Sequence, residues 1–511
     1  MARTKESRRC DPFFRKMDQL CLALTYGDVR LETDYSEIQP REAKLDSLFS
    51  RNIALKMPII SSPMDTVTEA EMAIVMAKLG GLGIIHKAMS PKLQASAVGK
   101  VKHNLNGFIS DPICVSVDDT VEKVLELKRV KGYKFYSFMV KDRNGKIVGL
   151  VAHDDFDYSK DVKDRISDIM TPITTPDTIV SAQSGISIEE AYNIMLQRRK
   201  KILPVYGDNG FEGIYTFADA KRIVRNDSCG YNLDSKGNLR VGAAIGVGSD
   251  MAERVELLSQ SKVDVIVIDT AHGNSKDVIE TLKYCKKNYS SIDIVAGNIS
   301  EAGAAKRLVA AGADGLRIGQ GPGSICTTRI KAGIGTPQVT AIYNCEKAIR
   351  GSGVPICADG GIEASGDITI ALGAGADCVM LGSLLAGTKE SPGEVMTLNG
   401  KSVKRYRGMG SIDAMLDNQA SRERYGQVGV TNDKLVAEGV SSWLDYKGEV
   451  SSIIYQLTGG LQAGMGYLGT RTISELTQHA ILFRITNAGF TESHPHGLDY
   501  MDGQESLKIK V

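Results

Sequence analysis

No Cys-x-x-Cys pair and no recurring spacing occurs among the nine cysteines, at positions 10, 21, 114, 229, 285, 326, 345, 357 and 378. That absence speaks against a disulfide framework and against structural zinc, and suits reduced thiols in a cytosol. No uninterrupted apolar run approaches about eighteen residues, so no membrane-spanning helix is expected. The charged N-terminus also lacks the apolar stretch of a secretory leader. Charge of neither sign prevails: Lys plus Arg number 62 and Asp plus Glu 61. Without a general basic field the chain is not expected to hold nucleic acid or an anionic membrane, and an anionic ligand must meet a local site. A Gly-x-Gly-x-x-Gly fingerprint opening a helix after the first strand is missing too, which counts against a doubly wound dinucleotide fold. These exclusions leave a cytoplasmic enzyme as the expectation.

What is present is a rhythm. Short apolar runs at 57–61, 82–86, 241–247, 263–269, 292–297, 313–319, 354–359 and 376–382 read as eight parallel strands. Amphipathic stretches between most of them, such as 302–311 and 366–372, supply an outer helical ring. The expected fold class is α/β, a (β/α)8 TIM barrel. At 511 residues the chain exceeds one ordinary core, and the interval between the second and third runs is far too long for one crossover. The barrel is therefore expected in two parts, residues 1–105 and 228–511, around an inserted domain at 106–227. The insert repeats itself: 111–116, the helix-like 120–129 and 145–151 answer to 170–172, 186–199 and 211–216. Each copy has the strand, helix, strand, strand, helix order of a cystathionine-β-synthase-type (CBS) motif, and the pair resembles a regulatory (Bateman) module.

The densest chemistry lies in 319–329, Gly-Gln-Gly-Pro-Gly-Ser-Ile-Cys-Thr-Thr-Arg. It follows the sixth apolar run directly, where a barrel keeps its active-site loops. Gly319, Gly321 and Gly323 permit a tight turn that aims backbone groups at a ligand, and Ser324 adds a hydroxyl for a phosphate or sugar oxygen. Cys326 is a candidate nucleophile. Asp269 and Asp359 close the fourth and seventh runs, where a carboxylate could simply cap a turn. The stretch 401–440 is polar and broken by glycine, as a mobile cover over a reacting site would be.

Together with that loop, six further kinds of segment carry a resemblance: 61–68 (Ser-Ser-Pro-Met-Asp-Thr-Val-Thr), 269–273 (Asp-Thr-Ala-His-Gly), 358–361 (Ala-Asp-Gly-Gly) with Gly382-Ser383, 406–411 (Tyr-Arg-Gly-Met-Gly-Ser), Arg424-Tyr425 and Glu492-Ser493-His494. Over nearly the whole chain they resemble the IMP dehydrogenase/GMP reductase family, and within it the IMP dehydrogenases. The resemblance implies oxidation of IMP to XMP with NAD as hydride acceptor, in guanine nucleotide synthesis. It implies that Cys326, as thiolate, attacks carbon 2 of hypoxanthine, and that a covalent thioimidate remains once hydride has left. For IMP it implies contacts with Ser62, Met64, Asn298, Arg317, Ser324, Asp359, Gly360, Gly361, Gly382, Ser383, Tyr406, Gly408, Met409, Gly410 and Glu438. Asp359 would take the ribose hydroxyls, and Ser324, Gly361, Gly382 and Ser383 the phosphate.

For NAD the resemblance implies Asp269 on the nicotinamide ribose, with Thr270, Ala271, His272, Gly319 and Gly321 nearby. His272 either stacks on adenine or is a plain loop histidine. Once a flap, about 401–440, swings in, Arg424 and Tyr425 would activate water, although an arginine pKa above about 12 makes a poor base. Thr328 and Glu438 match a second proton relay. Potassium would be held by carbonyls of Gly321, Gly323 and Cys326 and by Glu492, Ser493 and His494 of a neighbouring subunit, since oxygen-only ligation suits a hard ion. The implied assembly is a homotetramer, with octamers formed through the insert left open.

Two departures stand out. Gln320 occupies a place that is generally apolar in the family, so the loop gains a hydrogen bond or an altered mobility. In the insert, Thr216-Phe217-Ala218-Asp219 keeps a TxxD signature, in which Thr216 and Asp219 contact phosphate and ribose of an adenine or guanine nucleotide. The equivalent Ala152 lacks the hydroxyl, so the second copy is expected to bind nucleotide better than the first; an insert that binds nothing is the plainer alternative. The rivals are a GMP reductase, which carries a catalytic glutamate where Ile412 stands, and a non-catalytic nucleotide-sensing assembly protein.

Overall fold

The computed structural model describes residues 7–104, 108–109, 112–131, 137–173, 179–208, 210–225 and 230–496. It divides into two compact units, one of Met1–Lys102, Gly230–Asp234 and Leu239–Val511, the other of His103–Cys229 and Ser235–Asn238. Among the described residues no helix is long and apolar enough to cross a membrane.

In the first unit eight parallel strands close into a barrel: β1 (Ile59–Ser61), β2 (Leu82–Ile85), β3 (Gly242–Ile245), β4 (Val265–Asp269), β5 (Asp293–Ile299), β6 (Gly315–Ile318), β7 (Ile356–Asp359) and β8 (Cys378–Leu381). Each of the eight apolar runs coincides with one of them; most runs begin one or two residues before their strand, and β5 continues past its run to Ile299. Strand β2 pairs with β3 in register Gly242↔Ile84, across the sequence interval of the insert. Strands β1 to β7 are each followed by a helix, and in Ala302–Ala310, where Ala304, Ala305 and Leu308 are buried, an apolar stripe faces the sheet. The helix expected at 366–372 is Ser365–Ala374.

Side chains fill the barrel. Ile60, Leu82, Ile84, Ala244, Val265, Val267, Val295, Cys357, Cys378 and Met380 form one buried cluster with Phe49, Ile53 and Leu55 of a hairpin, Ser47–Ser50 and Ile53–Leu55. That hairpin meets the beginnings of the strands: Ser50 Oγ donates to Asp293 Oδ2 at 2.6 Å, and Arg51 N donates to Asp314 O at 3.0 Å. One end of the barrel is thereby plugged with apolar side chains, and the polar residues of the strand ends collect at the other.

Among its described residues the second unit holds one small core in each copy, and Met139, Ile147 and Ile214 form a third cluster shared by both. The core of the first copy gathers Val115, Val121, Val124, Phe138, Val140, Val151 and Ile166; that of the second gathers Ala182, Ala191, Tyr192, Met195, Leu203, Val205, Tyr215 and Ala220. The order strand, helix, strand, strand, helix is present twice, but the second copy starts at Ala182–Gln183 and not at 170–172. Thr171–Pro172 pairs with Ile147–Val151 and so extends the sheet of the first copy. Reciprocally, Ile109 and Ile214 exchange backbone hydrogen bonds, both at 2.9 Å, so the opening segment of the first copy packs on the second. Matching glycines make room for these crossings: a side chain at Gly149 would meet Met170, and one at Gly213 would meet Phe108 and Ile109. Asp111 of the first copy lies outside the described residues.

Candidate active site

The C-terminal ends of the barrel strands converge on a cleft. Its walls include Ser62 and Met64 after β1, Asp269, Thr270 and Ala271 at β4, Asn298 in β5, Arg317, Gly319, Gly321, Gly323 and Cys326 in and after β6, and Asp359 and Gly360 at β7. The hairpin strand Lys401–Arg407 and the segment behind it add Tyr406, Gly408, Met409 and Gly410, and the cover adds Arg424, Tyr425 and Glu438.

Arg317 organises the floor. Its buried guanidinium donates from Nη1 to Asp269 Oδ1 at 2.5 Å and from Nε to Asp359 Oδ2 at 2.9 Å. Asn298 Nδ2 donates to the same Asp359 oxygen at 2.6 Å and to Gly319 O at 2.8 Å. The two carboxylates singled out in the sequence therefore share one cation. Neither is a simple turn cap.

Cys326 is half-buried, and its Sγ donates to Thr328 Oγ1 at 3.2 Å; Thr328 Oγ1 donates to Glu438 Oε2 at 2.8 Å. A thiol, a hydroxyl and a carboxylate thus form one chain of hydrogen bonds. Residues 438–440 are bound to the cysteine loop by backbone: Thr327 N to Glu438 O at 2.9 Å, Val440 N to Ile325 O at 3.0 Å.

The middle of the cover is two short helices, Ile412–Asp417 and Gln419–Arg424, started by Ser411 and Asn418, whose side chains accept from Ala414 N and Ser421 N. The Arg422-Glu423-Arg424 cluster is not a solvated face. Arg422 donates to Met415 O, Val430 O and Asn432 Oδ1, which ties the helices to the returning chain. Arg424 lies in the cleft and pairs with Asp269. The Tyr425 ring lies against Gly410, where any side chain would collide with it.

The electrostatics follow from this packing. Burial by itself would raise the Asp269 carboxyl, but Arg424, Arg317 and Lys87 outweigh it and hold it well below the usual carboxylate range. For Arg424, burial works against the charge, and Asp269 more than restores it, so the guanidinium sits above even its ordinary value. In this arrangement Arg424 is a cation and not a base. Burial pushes the Tyr406 phenol up to about 12, so its hydroxyl keeps its proton.

The remaining sequence candidates lie outside this central set. Ser324 lies beside Tyr406, Gly361 packs on Pro322, and Gly382 lies against Met64 and the Tyr406 hydroxyl, so all three adjoin the cleft. Ser383 presents its carbonyl to Lys447 Nζ. His272 is exposed at the rim beside Gln320. Glu492, Ser493 and His494 do not line the cleft; Ser493 Oγ and His494 Nδ1 bond within their own segment, to Gly489 O and Phe490 O. In the second unit, Thr216 caps the helix Phe217–Val224 and donates to Asp219 Oδ2 at 2.7 Å. Ala152 holds the matching cap position before His153–Asp157. Two residues were not foreseen. Lys87 is buried after β2 and pushed down to about 8 by that burial. Gln338 is fully buried and donates to Ile318 O at 2.8 Å and Asp359 O at 3.2 Å, joining the ends of β6 and β7.

A sequence profile of the IMP dehydrogenase / GMP reductase domain matches residues 23–496. The chain is 44% identical over 477 residues to inosine-5'-monophosphate dehydrogenase of Aquifex aeolicus, covering 93% of this chain and 95% of that protein. The enzyme of the same name from Bacillus subtilis gives the same figures. Among solved structures, a cysteine-to-alanine variant of GMP reductase from Trypanosoma brucei in complex with guanosine 5'-monophosphate superposes with a TM-score of 0.85 at 38% identity, covering 93% of this chain and 98% of that one.

Proposed function

The chain belongs to the IMP dehydrogenase/GMP reductase family, and from that premise we propose that it oxidises IMP to XMP with NAD in guanine nucleotide synthesis. The observation that carries this reading is the 44% identity to bacterial IMP dehydrogenases over 93% of the chain. The hydrogen-bonded chain Cys326–Thr328–Glu438 in the cleft supports it.

IMP would lie with its purine over Met64, Met409 and the 408–410 turn, its ribose on Asp359, and its phosphate among Ser324, Gly361, Gly382 and Ser383. Cys326 attacks carbon 2: the thiol proton leaves through Thr328 to Glu438, and the S–C2 bond forms. NAD, when bound, accepts the hydride from that carbon. Asp269 suits it as a buried carboxylate at the cleft wall, able to accept from ribose hydroxyls. Arg424 now occupies Asp269, so cover and dinucleotide exclude each other there. Closure of the cover then sets Arg424 and Tyr425 beside the sulfur. Once Glu438 has passed the thiol proton to solvent, Arg424 stays charged and orients water; the water adds to C2 as one of its protons passes to the Thr328–Glu438 relay, and the C–S bond breaks with that proton returned to the Cys326 sulfur as XMP leaves.

Potassium would be held by carbonyls of Gly321, Gly323 and Cys326, completed by Glu492, Ser493 and His494 of a neighbouring subunit in a tetramer. The insert would act as a CBS pair that takes an adenine or guanine nucleotide at Thr216 and Asp219, in a cytoplasmic enzyme. GMP reduction with NADPH is the second reading, favoured by the structural likeness to the Trypanosoma brucei enzyme. Ile412, where that activity would need a carboxylate, is an exposed helix start outside the cleft. Incubation with IMP, NAD and a potassium salt should form NADH, and Cys326→Ala should not. Consumption of NADPH with GMP in place of that signal would move the assignment to the reductase.

A further inference from the structure

Gln320 lines the cleft between two loops and bonds to both. Its Oε1 accepts from Ser300 Oγ at 2.6 Å, and its Nε2 lies 3.3 Å from Ala271 O and 3.1 Å from His272 Nδ1. The amide can take one orientation. Ala271 O is a carbonyl and can only accept, so the group facing it must be the NH2; a flipped amide would set two oxygens against each other. The second N–H of that NH2 then points at His272 Nδ1. That nitrogen must accept, which puts the imidazole proton on Nε2 and leaves the ring neutral. Asn274 braces the same loop farther along, through Glu301 and through Arg307, whose Nε donates to Asn274 Oδ1 at 2.9 Å.

We propose that Gln320 is a positioning residue for the dinucleotide: it locks His272 as the neutral Nε2–H tautomer and fixes the Ala271–His272 edge against which the dinucleotide binds. This rests on the reading of 269–273 as that edge. An apolar residue at 320 would leave His272 free to take either tautomer, and would leave the loop without this tie.

The test combines spectroscopy with binding. In protein labelled with 15N-histidine, His272 is identified by the signals lost in His272→Ala, and the two-bond correlations of its ring report which nitrogen carries the proton. The expected result is an unprotonated Nδ1 in the native protein, a tautomer mixture in Gln320→Leu, and a protonated Nδ1 in Gln320→Glu, which keeps the shape but replaces the donor with an acceptor. NAD titrations on a Cys326→Ala background, with IMP present to keep the site filled, should show about two- to tenfold weaker binding in both variants, with IMP affinity unchanged. A protonated Nδ1 in the native protein, or native NAD affinity in Gln320→Glu, would overturn the proposal. Native protein that forms no NADH from IMP but shows the expected tautomer and NAD affinities would count against the dehydrogenase reading alone and leave this one standing.

Discussion

Residues 438–440 meet the cysteine loop through backbone hydrogen bonds, whereas the helices Ile412–Asp417 and Gln419–Arg424 reach the barrel floor through a charge pair, Arg424 on Asp269. The difference separates what is permanent in the site from what is exchangeable. A backbone ladder has no substitute partner in the cleft, so Glu438 stays beside Thr328 and Cys326 whatever is bound. A carboxylate can trade one donor for another, so a ribose hydroxyl can displace Arg424 from Asp269. The Glu438 relay should then serve both half-reactions and Arg424 the second alone.

Removing the proposed nucleophile erases the distinction: Cys326→Ala should lower turnover by about 10⁴-fold or more, with neither a burst nor a steady rate of NADH. Arg424→Gln should sharpen it. Steady-state kcat is expected to fall by about 10³-fold, while stopped-flow absorbance still shows a burst of one NADH per subunit; loss of the burst as well would break the comparison. Glu438→Gln should slow burst and steady state together, each by about 10²-fold, and a change confined to one phase would show that the backbone tie does not keep the relay in place.

The smallest effect probes the ground beneath the exchangeable pair. Lys87 sits near Asp269 with its pKa pushed down to about 8 by burial, against about 10.4 in an unfolded chain. Between those values the unfolded state binds more protons, so stability should rise with pH across that window, by on the order of 3 kcal/mol at most. Urea midpoints at the two ends of the window measure the rise, and Lys87→Met should flatten it.

The barrel was legible because the strands are short, mostly apolar runs of a length that a buried parallel strand requires, and Asp269, Asp359 and Cys326 stood out because each ends or follows such a run. Arg317 in the middle of a run carried its own signal, a charge where only paired charge survives. The rest depended on contacts distant in sequence. Nothing local marks Gln338 as the link between β6 and β7, or shows that Arg424 would pair with a residue 155 positions earlier. In the insert the repeat was visible but its phase was not. Thr171–Pro172 looks like the start of the second copy, and only the pairing with Ile147–Val151 shows that it completes the first.

That crossed pairing bears on how the insert can change over evolutionary time or under a protein engineer's hands. Each copy holds a piece of the other, seated over a glycine that leaves it space. Excising one copy strips an edge from the survivor and uncovers Met170 or Phe108, so half a module is a worse fold than none. The insert should therefore be gained, lost or transplanted as a pair, with cuts outside both copies.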